Sequence, residues 1–127
     1  MEPKEIRRAR KQNMTALIVI GALLILLLTL SLRWHISHNF TTEKWLAEPE
    51  NRGRLVNDLL QEHTLTGMDT DALFALLGEE MPVPVESGKI NYCYYLGPER
   101  GLISIDSEWL VLTVEKNLVT AIDFATD

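Results

Sequence analysis

The run from Met14 to Leu32, MTALIVIGALLILLLTLSL, carries no charged side chain in 19 positions and limits what the rest of the chain can be. Wound as a helix at about 1.5 Å per residue it is roughly 28 Å long, close to the ~30 Å hydrocarbon core of a bilayer. Twelve Leu, Ile and Val residues lie between Leu17 and Leu32. At ~0.3 to 0.6 kcal/mol each they favour insertion by roughly 4 to 7 kcal/mol, less the cost of Gly21, Thr29 and Ser31. A buried core helix of this character would need a far larger protein around it. The sequence therefore predicts one transmembrane pass over residues 14–34, with the lipid bilayer as its first partner.

Charge is divided by that run. Residues 1–32 carry Lys4, Arg7, Arg8, Arg10 and Lys11 against Glu2 and Glu5, a balance of +3, while residues 33–127 balance at −9, giving the net −6 of the chain. Basic residues beside a span are retained in the cytoplasm, so the amino terminus is expected inside and the carboxy-terminal part outside, periplasmic or extracellular, on a cytoplasmic (inner) membrane. The apolar run is longer than the ~7 to 15 residues of a cleaved signal peptide and is followed by RWHIS, not by small residues, which favours an uncleaved signal-anchor. Arg33 and Trp34 fall where headgroups would lie. The expected division is a basic tail over 1–13, the span over 14–34, a juxtamembrane linker over 35–48 and an α+β domain over 49–127.

The acidic outer part has no basic stripe, which argues against nucleic acid. Cys93 is the one cysteine, so no intramolecular disulfide can brace the domain. His35 and His38 lack a third ligand nearby. Asp69, Asp71, Glu79 and Glu80 match no calcium loop. There is no Gly-rich phosphate loop and no recognisable nucleophile motif. No catalytic, cofactor or metal residue is assigned, and the chain is expected not to be an enzyme. The rival reading is a thiol-dependent or hydrolytic enzyme centred on Cys93 and His63. A purely structural homodimer is a third.

The spacing of Leu55, Val56, Leu59 and Leu60 predicts a first domain helix from Pro49 to about His63. Asp69 is the expected N-cap of a second helix ending at Gly78, with Met68 and Leu73 as a hydrophobic staple. Pro82 and Pro84 exclude a central strand between Glu79 and Gly88. The period then becomes two: Ile90 to Leu96 is one strand, and Trp109–Glu115 and Leu118–Phe124 form a hairpin turning at Lys116-Asn117. A two-residue loop in simple register puts Leu110, Leu112, Val114, Val119 and Ala121 on one face. Trp109, Val111, Thr113, Thr120, Ile122 and Phe124 then share the other. Both faces are more apolar than a half-solvated sheet requires. Trp109, Val111, Ile122 and Phe124 are therefore candidate partner-binding residues.

Gly67-Met68-Asp69, Leu76-Leu77-Gly78, Tyr94-x-Leu96-Gly97, Leu110-x-Leu112-x-Val114 and Val119, in this order over about 80 residues, resemble the small SmpA/OmlA/BamE-like envelope proteins. That resemblance implies two helices on a three-stranded antiparallel meander and a role in binding envelope proteins. The best-known members are lipoproteins supporting assembly of outer-membrane β-barrels. Family members attached by lipid have a lipobox cysteine, which this chain lacks directly behind its apolar run, so a transmembrane anchor stands in that place. A non-catalytic, membrane-anchored domain with a protein partner in the cell envelope is the reading that results, with a homo-oligomer left open.

Overall fold

In the computed structural model, which describes residues 3–127, the chain forms two compact units, one ending at Ser37 and the other spanning His38–Asp127. The first is a single helix, α1 (Lys4–His38), 35 residues long and without a buried side chain. It is long and apolar enough to cross a membrane, a character that a signal sequence shares. At about 52 Å it exceeds the hydrocarbon thickness, so its charged first turns and its Arg33–His38 end extend past the apolar stretch. The hydroxyl of Thr15 donates to the Lys11 carbonyl (2.9 Å) and that of Thr29 to the Ile25 carbonyl (2.8 Å). Both hydroxyls are thus satisfied within the helix.

The second unit is α+β. Its short helices are α2 (Thr42–Ala47), α3 (Arg52–Glu62), entered through a 3-10 turn at Pro49–Asn51, and α4 (Thr70–Leu77). They cover one face of an antiparallel sheet ordered β1 (Val83–Pro84), β2 (Ile90–Pro98), β3 (Ser107–Glu115) and β4 (Leu118–Thr126). The three-stranded meander expected from the sequence is present. A fourth, two-residue strand lies at its edge, where Pro84 needs no ladder hydrogen bond.

The domain also begins earlier than its hydrophobic period suggests. Residues 38–48, expected as linker, are folded: the Thr41 hydroxyl caps α2 at the Lys44 N–H, Phe40 is buried, and Trp45 is 0% exposed. Phe40 stands edge-on to both Trp45 (5.8 Å) and His63 (5.6 Å), and its N–H donates to Asp58 Oδ2 at 2.6 Å. Leu55, Val56 and Leu59 of α3 and Leu73 and Leu77 of α4 complete the helical side of the core, against Tyr92, Tyr94, Leu96, Leu110, Leu112, Val114 and Val119 of the sheet. The Asp69 cap forms as expected, accepting from the Ala72 N–H at 2.8 Å.

Lys116 and Asn117 both have positive φ (52° and 65°), the signature of the type I′ turn whose twist suits a tight hairpin. The register beyond the turn differs from the simple one. Val114 pairs with Val119 but Thr113 pairs with Ala121, leaving Thr120 as the extra residue of a β-bulge. One inserted residue reverses the facing of everything that follows. Ile122 stands opposite Leu112 and Phe124 opposite Leu110, on the helix-covered face. Ala121 stands opposite Thr113, on the other face.

Candidate functional site

The face of the sheet turned away from the helices is built in cross-strand rows. Tyr95, Trp109 and Ala125 form one row, Cys93, Val111 and Asp123 the next, and Asn91, Thr113 and Ala121 the third, with Val83 beside Asn91. Strand alternation places them there, because their neighbours Tyr92, Tyr94, Leu110 and Leu112 are the core. The rings of Tyr95 and Trp109 pack edge to face at 5.2 Å, and the Thr113 hydroxyl donates to Asn91 Oδ1 at 2.9 Å. Tyr95, Trp109 and Val111 are half-buried, on the face opposite the core residues that the helices cover. The result is a strip that is apolar over Tyr95, Trp109 and Val111 and polar beyond them, with the aromatic anchor types that protein interfaces favour at one end.

The four residues expected to bind a partner divide between the two faces. Trp109 and Val111 belong to the open strip. Ile122 packs against the core, and Phe124, 46% exposed, lies at the sheet edge on the helix side beneath the Arg100 guanidinium, 5.2 Å from its ring centre. The Thr120 bulge is the cause. Tyr95 and Cys93 join the strip instead, and the alternation of the aromatic strand was the available signal for both.

A second cluster closes the base of the loop between β2 and β3. Glu108, inward-facing and 6% exposed, accepts from Arg100 Nε at 3.1 Å on both carboxylate oxygens, from Arg100 Nη2, and from the Arg100 N–H at 3.2 Å. These hydrogen bonds hold the Glu108 carboxyl below its usual range, with burial working against them. Arg100 Nη1 also donates to Asn57 on α3 at 3.3 Å. Asn57, Arg100, Glu108 and Phe124 border a shallow open depression, but its guanidinium and carboxylate already satisfy one another. Nothing in the sequence joined Arg100 to Glu108, because they are brought together by a loop and not by a helical or strand spacing.

The helical layer also holds a buried cation, one residue before the Gly53 that packs on Arg100. Arg52, 7% exposed, lies over the Trp45 ring at 4.9 Å and donates through Nε to the Trp45 carbonyl (2.7 Å) and through Nη1 to the Tyr95 carbonyl (3.3 Å). Burial pushes its pKa down, countered by Glu80 and Tyr94. Burial likewise pushes the Tyr94 phenol up, with the Glu80 charge adding to it, and its hydroxyl donates to the Gly78 carbonyl at 2.8 Å. Arg52 therefore works as a brace between α2, α3 and β2.

Cys93 and His63 are not brought together. The thiol belongs to the open face, whereas the half-buried His63 ring packs on Phe40 on the helix side of the sheet. Arg33 and Trp34 lie in the last turns of α1, beyond the apolar run. Among the described residues no group of three or more His, Cys, Asp or Glu side chains is placed to hold a metal ion. In comparisons with known proteins, no family model, no curated protein and no solved structure matches the chain.

Proposed function

We propose that this protein is a single-pass, membrane-anchored component of the cell envelope whose α+β domain binds a protein partner through the open face of its sheet, without catalysis. The observation that carries this reading is that face: Tyr95, Trp109 and Val111 form a preformed apolar strip that the domain's own helices leave uncovered. A preformed strip loses little conformational entropy on binding, and aromatic residues are the usual anchors of protein interfaces. The basic residues ahead of the apolar helix favour an inner-membrane anchor with the domain outside. The order α3, α4 and then the β2–β4 meander is the one that the resemblance to SmpA/OmlA/BamE-like proteins implies, to which α2 and β1 are additions, with a helix where those proteins use lipid.

The test is a double substitution, Trp109→Glu with Val111→Asp, in the full-length protein. Recovery of the partner with the tagged protein from solubilised membranes should be lost, while unfolding of the domain shifts by no more than about 1 kcal/mol, as for residues outside the core. Undiminished recovery would overturn the assignment of this face. Collapse of the fold would show that both side chains belong to the core.

A further inference from the structure

We infer that the loop between β2 and β3 is a second membrane contact, inserting Leu102, Ile103 and Ile105 into the interfacial layer of the bilayer that holds α1. The inference rests on the anchor reading above. It does not depend on the partner assigned to the open sheet face.

These three side chains are 106%, 76% and 83% exposed, more than any core or strip residue of the domain. They stand almost consecutively at the tip of one loop, where a folded domain gains nothing from three bare aliphatic groups. The Ser104 hydroxyl and the Arg100 guanidinium are both taken up at the base of the loop. The Ser104 hydroxyl donates to the Glu99 carbonyl, the Glu99 N–H donates to the Asp106 carbonyl at 2.8 Å, and Arg100 is held by Glu108. The base is thus pinned, and what projects is aliphatic.

Lipid is the occupant that chain length favours. Only seven residues, Arg33–Asn39, separate the apolar run from Phe40, which is already buried in the domain. Even fully extended, those eight peptide steps reach no more than about 29 Å. A domain of about 90 residues is itself roughly 30 Å across, so part of its surface stays within reach of the headgroups of the anchoring membrane. At that effective concentration three aliphatic side chains suffice for a contact too weak to bind vesicles unaided. The nearest free charges, Glu99 and Asp106, are acidic, so insertion is driven by apolar burial and not by attraction to anionic lipid. It is expected equally in phosphatidylcholine and unweakened by salt.

The experiment uses the full-length chain in phosphatidylcholine vesicles, on a Cys93→Ser background, with a nitroxide attached at one new cysteine: Ile103→Cys, Leu102→Cys, Lys116→Cys or Ile25→Cys. Collision with oxygen relative to a water-soluble nickel chelate reports depth. The expected result is a ratio at positions 102 and 103 several-fold above that at 116, approaching that at 25, and unchanged in high salt. A ratio at 102 and 103 equal to that at 116, with position 25 in lipid, overturns the loop contact and leaves the anchor intact. A water-like ratio at position 25 removes the anchor and the loop contact together. In cells, a photoreactive group at position 103 should label lipid; labelling of a protein in its place overturns the inference and reassigns the loop to a protein interface.

Discussion

Glu108 and Arg100 meet across eight residues of chain, a buried carboxylate closing on the guanidinium that begins the exposed loop. Because the folded-state pKa of Glu108 is depressed, the pair's contribution is present above the ordinary carboxylate value of 4.5 and is lost as pH falls through the folded value. Glu108→Gln should cost about 1 kcal/mol at pH 7, a modest figure because Arg100 is partly exposed. Chemical denaturation of both proteins should give curves that differ at pH 7 and converge well below pH 4.5. A difference that does not change over that range would contradict the assignment.

Gly97 should be the least replaceable glycine. Its φ is +107°, and a Cβ there would lie 2.1 Å from the Glu50 carbonyl oxygen, a backbone atom that cannot step aside. Gly97→Ala should cost more than about 3 kcal/mol, combining backbone strain with a displaced 3-10 turn. Gly88→Ala, also at positive φ but with open space around it, should cost only about 1 kcal/mol in the same denaturation measurement.

Trp45 and Arg52 should behave as one unit. Trp45→Ala should cost about 3 to 5 kcal/mol through the cavity it leaves. Arg52→Ala strips hydrogen bonds from the carbonyls of Trp45 and Tyr95 and should cost about 2 kcal/mol. The double variant should be less damaging than the sum, which a thermodynamic cycle measures directly.

The two-residue hairpin offers a change in the opposite direction. Replacing Lys116 by Asn and Asn117 by Gly fits the positive φ at both positions and should raise stability by about 0.5 to 1 kcal/mol. A loss of stability would place the turn in another class.

Local signals in the sequence were enough for the elements that obey local rules. The uncharged run became α1, Asp69 became a cap, and the alternation from Ile90 to Leu96 became β2. Trp45 escaped notice because a six-residue helix is too short to show a period, and its place in the core depends on Arg52 and Tyr94 from elsewhere in the chain. The Thr120 bulge has no signature among its neighbours, yet it moves Ile122 and Phe124 to the helix-covered face. Leu102 to Ile105 is a short apolar piece by composition, and its exposure follows only from the pairing of Pro98 with Ser107, which leaves it outside the sheet. Facing and exposure, set by pairing at a distance, were the parts of the candidate site that could not be read locally.

The proposed role is tested most directly by photocrosslinking in intact cells from positions 109, 111 and 122 of the full-length protein. Trp109 and Val111 lie on the open face and Ile122 on the covered one. The expected result is one discrete protein adduct from 109 and 111 and none from 122. The absence of an adduct at 109 and 111, or the same adduct at 122, would contradict a partner seated on the open face of the sheet.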